Sequence, residues 1–311
     1  ASSTMDIEDW TDILVMNASL QSDPTLGVPK NYKELMNLND KAWLKSLNAE
    51  LENFLSRDAW EFLPRHKMPQ DRKTLRCRWI FRLKIDGSKK SRSVVRGYEQ
   101  EPGVDYVESY SPLATNTTIK AALAQSLYLQ KSYEDWVMDM VDVEAAFLNA
   151  LVDTDVYIEL PEGLREYMRM QGIELDDDTV IKLLSAQYGL VQSPRLWMET
   201  FSLILTSLGL KQCKTDPCLF CLFDEDGNLL VIVVVYCDDC IIAGRSRWVI
   251  QIKIGISGQV KISDLGNLKR HLGVDYEFGC DAQGPYIRSS MTEYLDSMVR
   301  DFEKDMSSSI K

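Results

Sequence analysis

Histidine is nearly missing from this chain. His66 and His271 are the only two in 311 residues, so a Ser-His-Asp or Cys-His centre, or a histidine-built metal site, has almost nothing to be made from. No nucleophile-elbow or phosphate-loop sequence is present either. Long apolar runs are missing too. The longest, Leu229–Cys237, has nine residues, far short of the roughly 20 that a bilayer-spanning helix needs. The stretch Ala1–Asp9 lacks the basic and apolar regions of a signal peptide, which predicts an intracellular setting and no membrane partner. Seven cysteines, an odd number, argue against a disulfide framework. The chain starts without Met and ends on Ser307–Lys311, and so reads as a piece of something longer.

Positive charge is scarce overall, with a formal net charge of -12. Because nucleic-acid binding draws on Lys and Arg displacing counterions, this balance argues at first against a phosphate partner. The distribution argues the other way. Between Arg65 and Glu99 stand twelve Lys or Arg against three acids, a local +9, and the remainder carries -21. Such a segregated stretch is either a solvated face or a phosphate-tracking surface.

The apolar run Leu229–Cys237 opens onto Asp238-Asp239, two adjacent carboxylates where a buried strand runs out into a turn. Repulsion and lost hydration make such a pair costly unless something offsets it, most economically a divalent cation. The preceding segment Cys218–Phe223 meets this strand through Asp224–Asn228, where Asp226-Gly227 predicts a two-residue hairpin turn. Cys218-x2-Cys221 and Cys237-x2-Cys240 have zinc-site spacing. However, residues three apart on a strand face opposite ways, and pairing about Asp226-Gly227 sets Cys218 near Val235 rather than Cys237. Buried thiols acting as small hydrophobes fit better than a structural zinc site.

Residues 1–40 are polar and weakly periodic, a leader. Lys41–Leu55 has Leu44, Leu47, Leu51 and Phe54/Leu55 at helical spacing. Arg76–Ile85 and Ser91–Tyr98 flank Asp86-Gly87 and alternate apolar with cationic residues, as a half-buried hairpin should. A helix is expected over Thr117–Gln130, a strand over Trp136–Val143 carrying Asp142, and a helical turn from Glu144 to Leu148. Ser193 as N-cap, Pro194 in the first turn, the stripe Trp197, Phe201, Ile204 and Leu208, and Gly209 as a stop mark a helix over 194–208. The order suits an α+β layer of mainly antiparallel sheet backed by helices.

Two strand-end acid sites about a hundred residues apart, beside a cationic hairpin, suggest a cation pair held for phosphoryl chemistry. In this light ten blocks fall into order: Trp79–Lys84 with Asp86-Gly87, Val95–Tyr98, Gly103–Tyr106, Glu108–Ala114, Asp142–Asn149, Tyr157–Gly163, Tyr188–Arg195, Asp216–Phe220, Tyr236–Asp239, and Asp264–Gly266 with Leu272-Gly273. From about residue 41 to 302 the chain resembles the reverse transcriptase of Ty1/copia-type LTR retrotransposons.

The resemblance implies a right-hand polymerase palm with fingers and an incomplete thumb. It divides the chain into fingers over 41–115 and 151–192, palm over 116–150 and 193–275, and the start of a thumb over 276–311. It implies two Mg2+ ions, with Mn2+ as an alternative, held by Asp142, Asp238, Asp239 and the backbone carbonyl of Val143. Phe147 resembles the aromatic gate that crowds a ribose 2′-hydroxyl, a core Phe being the alternative. Gln192 resembles the glutamine that contacts the nucleotide, a capping side chain being the alternative. Lys90 and Arg92 stand where a finger strand presents cations to the triphosphate, or are solvated strand-face residues. Leu272-Gly273 resembles the turn that grips the primer end.

The implied partners are an RNA or DNA template-primer, deoxynucleoside triphosphates and the integrase and RNase H of a parent polyprotein, in a cytoplasmic retrotransposon particle or the nucleus. The chain departs from the pattern at Ser185, Gln187, Val191 and Ala150. A catalytically inactive nucleic-acid-binding or interaction module is the alternative function.

Overall fold

The computed structural model describes residues 27–84, 87–282 and 284–309. In chain order these form α1 (Tyr32–Leu38), α2 (Lys41–Leu55), β1 (Trp60–Pro64), β2 (Thr74–Leu75), β3 (Cys77–Leu83), β4 (Lys89–Val95), α3 (Asn116–Gln130), β5 (Trp136–Val143), β6 (Tyr157–Ile158), α4 (Leu164–Met170), β7 (Thr179–Leu183), α5 (Ser193–Ser207), β8 (Lys211–Gln212), β9 (Leu219–Phe223), β10 (Leu229–Tyr236), β11 (Asp239–Arg245), α6 (Ser246–Ser257), β12 (Ile262–Asn267), β13 (Arg270–His271), β14 (Val274–Asp281), β15 (Gly284–Ser290) and α7 (Thr292–Ser309). The fold is mixed α+β with mainly antiparallel sheets; of the pairings between named strands, β2 with β6 is parallel. The chain divides into two compact units, one built from the described residues through Ser111 with Phe147–Trp197, the other from Pro112–Ala146 with those from Met198 onward.

In the first unit α2 is the organising helix. Asp40 caps it by accepting from the N–H groups of Ala42 and Trp43, and Trp43, Leu47, Leu51 and Phe54 bury one stripe at the spacing a helix requires. Trp43 replaces the expected Leu44 on that stripe, and the stripe also contains Glu50. The helix lies along the free edge of the two-stranded sheet β3-β4. Ser91 N–H donates to Ser46 Oγ at 2.8 Å, Glu50 accepts from the Ser93 N–H, and Val95 N–H donates to the Tyr188 carbonyl at 2.8 Å. The outward donors of β4 at Ser91, Ser93 and Val95 are thus all satisfied, which blunts an edge that would otherwise recruit another strand. Burial pushes the Glu50 carboxyl up, against the opposing pull of Lys90 and Arg92. The second sheet of this unit runs β1-β7-β6-β2. Ahead of α2, α1 buries Leu35; of the expected polar leader, residues 1–26 lie outside the described residues.

In the second unit the six-stranded sheet runs β12-β5-β11-β10-β9-β8, with α3 and α6 packed on it. Its centre is β10, where Val231, Val233, Val234 and Val235 are all at most 1% exposed. A strand buried on both faces reads as an unbroken apolar run, which is why Leu229–Cys237 looks as it does. The β9–β10 pairing puts Ile232 opposite Cys221, and Val235 N–H donates to the Cys218 carbonyl at 2.9 Å, the register expected from the sequence.

The turn itself differs from the expected two-residue loop. Asp224 accepts from Asn228 N–H through its carboxylate at 2.7 Å, Gly227 N–H donates to the Asp224 carbonyl at 3.1 Å, and the ladder shifts between Leu229 and Val231. Asp224 therefore opens the turn earlier, and a bulge restores the register. The β3–β4 connection follows the same plan, with Lys84 N–H donating to the Ser88 carbonyl at 2.8 Å; Asp86 of the expected Asp86-Gly87 turn lies outside the described residues. After β5 the expected helix over Glu144–Leu148 shortens to a single 3-10 turn, Ala146–Asn149.

Candidate active site

Six-stranded pairing builds the acid site from the backbone outward. Asp142 stands directly opposite Asp239 on the neighbouring strand, and Tyr236 pairs with Asp239 so that Cys237-Asp238 form a two-residue turn. Cys237 holds a φ of 57°, in the left-handed region that a residue with a β-carbon adopts at a cost of roughly 1–3 kcal/mol. The turn is tied to the first acid's strand, because Val143 N–H donates to the Asp238 carbonyl at 2.8 Å. Three carboxylates therefore gather at one end of the sheet, each part-buried.

The electrostatics follow from that crowding. Burial first, then the charges of Asp238 and Asp142, push the Asp239 carboxyl up to about 7. Burial, then Asp238 and Asp239, raise the Cys237 thiol, and burial, then Asp239 and Asp238, raise that of Cys240. Nearby Glu144 is in a different position, because Lys261 pairs with its carboxylate at 2.8 Å and Ser263 Oγ donates to it at 3.1 Å. The donor set of Asp142, Asp238 and Asp239 fits a hard, oxygen-preferring divalent cation, since a positive charge placed there would relieve the repulsion that raises Asp239. Among the described residues no group of three or more His, Cys, Asp or Glu side chains is placed so as to hold a metal ion. The cysteines with zinc-site spacing are dispersed, with Cys221 opposite Ile232 and Cys240 opposite Val235.

The Leu272-Gly273 turn adopts positive φ at both residues, 51° and 77°, as a two-residue hairpin joining His271 to Val274 demands. Glycine is needed there for the backbone; no other part of the chain lies within 4 Å of where a β-carbon would sit. Beside it, the His271 imidazole packs edge-on against Tyr236 at 6.2 Å. This histidine is 2% exposed with neither ring nitrogen hydrogen-bonded, and burial lowers it to about 4. The Asp264–Gly266 block is explained by a β-bulge in β12 against β5. Asp264 accepts from Gly266 N–H at 2.9 Å and from Lys253 Nζ at 2.8 Å, and Lys253 also reaches Asp139 of β5 at 2.6 Å.

The remaining predicted residues lie in the first unit. Lys90 and Arg92 alternate along β4, opposite Arg82 and Ile80. Arg92 lies over the Tyr188 ring at 4.9 Å, and Phe147 packs against the same ring at 4.9 Å with planes 63° apart. The structure thus joins two of the predicted residues through one that the sequence reading did not single out.

Gln192 lies in the interior of the first unit. It is fully buried, its Nε2 donates to the Asp105 carbonyl at 2.9 Å, and its Oε1 accepts from Gln100 Nε2 at 2.9 Å. Its Nε2 thus holds the Gly103–Tyr106 loop and its Oε1 holds Gln100, so the amide organises the fold locally. Ser193 differs from expectation in a similar way, its hydroxyl donating to the Gln187 carbonyl at 2.6 Å. The Gln187 departure is accommodated, because that buried amide accepts from Trp60 Nε1 at 3.1 Å and donates to the Ser93 carbonyl at 3.3 Å.

Residues 59–310 match the family described as reverse transcriptase (RNA-dependent DNA polymerase), and the chain belongs to that family. Its relatives are Ty1/copia-type Pol polyproteins of plant and yeast transposons. The Retrovirus-related Pol polyprotein from transposon TNT 1-94 of Nicotiana tabacum is 30% identical over 79% of this chain and 18% of its own length. That from transposon RE1 of Arabidopsis thaliana is 29% identical over 84% of the chain and 17% of its own length. The Transposon Ty1-DR4 Gag-Pol polyprotein of Saccharomyces cerevisiae is 24% identical over 91% and 17%. The chain therefore spans less than a fifth of these relatives. A solved foamy viral protease-reverse transcriptase in complex with double-stranded DNA aligns over 80% of this chain and 36% of its own, at 12% identity and a TM-score of 0.36.

Proposed function

We propose that this chain is the polymerase portion of a retrotransposon Pol polyprotein and catalyses template-directed DNA synthesis on RNA or DNA. The reading is carried by one observation: Asp142 and Asp239 are cross-strand neighbours with Asp238 in the adjoining turn, in a chain of this family. Asp142, Asp238 and Asp239, with the Val143 carbonyl, are the groups that would hold two Mg2+ ions. Those ions would supply charge stabilisation at the reacting phosphate and a more acidic primer hydroxyl. The carboxylates' own part is to present convergent anionic oxygens on a rigid strand end, so that little reorganisation accompanies binding. With Asp239 raised to about 7, the metal-free site holds a proton below neutrality, and cation binding releases it.

Lys90 and Arg92 would meet the triphosphate of an incoming deoxynucleotide, Phe147 would exclude a 2′-hydroxyl, and Leu272-Gly273 would meet the primer end. Gln192 supports the Gly103–Tyr106 loop. In this reading residues 116–150 and 193–275 are the palm, and integrase and RNase H are partners within the parent polyprotein.

Primer extension on a defined RNA template with deoxynucleotides and Mg2+ tests the proposal. Incorporation by the wild-type chain that vanishes in Asp238→Asn is the expected result. RNA binding without incorporation under any condition would overturn it in favour of a silent binding module.

A further inference from the structure

Tyr188 has an unusually fixed root. On one side of it Gln187 Nε2 donates to the Ser93 carbonyl at 3.3 Å, and its own carbonyl accepts from Val95 N–H at 2.8 Å. On the other side Gly189 has a φ of 93°, and a β-carbon built there would lie 2.0 Å from the Val95 carbonyl oxygen. Gly97 presses on the same spot, its own hypothetical β-carbon falling 2.0 Å from the Gly189 carbonyl oxygen. Two chain segments therefore meet backbone to backbone just where the ring departs. The ring carries Arg92 on its face at 4.9 Å and Phe147 at 4.9 Å in an edge-on arrangement.

We propose that Tyr188 is a positioning residue that sets the discrimination between deoxyribose and ribose, by acting as the wall behind Phe147 while its face orients Arg92. The proposal rests on the reading above, in which Phe147 meets the sugar and Arg92 the triphosphate. A steric gate rejects one extra hydroxyl only as firmly as the gate itself is held. Phe147 is 4% exposed, so its freedom to swing is decided by its packing partners, and removing a large ring from beside it opens space into which it can move. An aromatic pair is stabilised beyond its area burial, and so is a part-exposed Arg over a ring. The two halves of the contact act on different quantities. The wall governs the choice of sugar, and the cation governs affinity for the triphosphate common to both sugars.

The test compares kcat/KM for dGTP and GTP on one primer-template, using the full chain. Tyr188→Leu is expected to lower the deoxy-to-ribo ratio about 10-fold or more and to raise KM for both nucleotides, while Tyr188→Phe restores the ratio. Arg92→Gln, which leaves the core packing intact, raises both KM values with the ratio unchanged and keeps the test open should Tyr188→Leu fold poorly. Phe147→Val separates the two levels of the argument. If Phe147→Val relaxes the ratio but Tyr188→Leu does not, this proposal is wrong and the gate stands. If Phe147→Val leaves the ratio unchanged, the gate reading fails and takes this proposal with it. A ratio that falls in Arg92→Gln also overturns the stated division of roles.

Discussion

Two hairpins of opposite sign carry the candidate chemistry, and they meet the cost of charge differently. The cationic hairpin β3-β4 holds Arg78, Arg82, Lys90 and Arg92 on long stems, which let charged heads turn toward water; Arg82 is the exception, lowered by burial and by Arg92. Its edge is covered by α2 through Ser46 and Glu50. The acid hairpin β10-β11 has short carboxylates at the end of a strand buried on both faces, so they cannot reach away from one another, and Asp239 rises to about 7. Charge on flexible stems is tolerated by solvation. Charge on short stems at a buried strand end is tolerated only with a counter-ion, and this makes the acid hairpin the more demanding of the two.

That contrast is sharpened first by neutralising one charge on each hairpin. Asp142→Asn is expected to reduce primer extension by about 10³-fold or more, because each carboxylate is one of few in the donor set. Lys90→Ala, one cation among several, should raise the deoxynucleotide KM by only about 10-fold with kcat nearly kept. Steady-state kinetics would break the comparison if the two losses were equal.

Next in size is the backbone weld beside the cationic hairpin. Gly189→Ala should cost about 3–5 kcal/mol in urea unfolding, since the new methyl would meet a carbonyl oxygen at 2.0 Å on a backbone with a φ of 93°. Gly273→Ala, at a φ of 77° with nothing within 4 Å, meets only the conformational cost and should lose about 1 kcal/mol. Equal losses at the two glycines would contradict the weld.

The smallest effect concerns His271, packed on Tyr236 next to the acids. Its folded-state value of about 4 lies below the ordinary 6.5, so the unfolded chain binds the proton first. Stability from this group is complete above about pH 6.5 and is lost as pH falls toward 4. His271→Phe should therefore unfold at higher urea than wild type at pH 7, because two unpartnered ring nitrogens are gone, and the gap should widen by about 2–3 kcal/mol by pH 4.5. A gap that narrows on acidification would show that the imidazole is charged in the fold.

Much of the acid hairpin was legible from the chain alone. An apolar run interrupted by Asp238-Asp239 specifies a buried strand and a turn through hydrophobicity and sterics, which act locally. Helix α2 emerged from spacing for the same reason, as did β5 over Trp136–Val143. The surroundings of Gln192 were not legible, because the same amide can serve a ligand or a loop, and the presence of Gln100, Asp105 and Thr154 around it depends on residues 38 to 92 positions away. Tyr188 escaped notice because an aromatic in a Tyr-Gly pair shows nothing of the Arg or Phe that will flank it.

By itself the sequence determined the alternation of strands and helices through the period of its apolar residues, the segregation of charge through composition, and the membership of a family through ten ordered motif blocks. Only the tertiary structure decided that Asp142 faces Asp239, that Glu144 is neutralised by Lys261, and that Arg92 and Phe147 share one ring. Those are pairings between distant residues, and their free energies exist only once sheet register has brought the partners within a few ångströms.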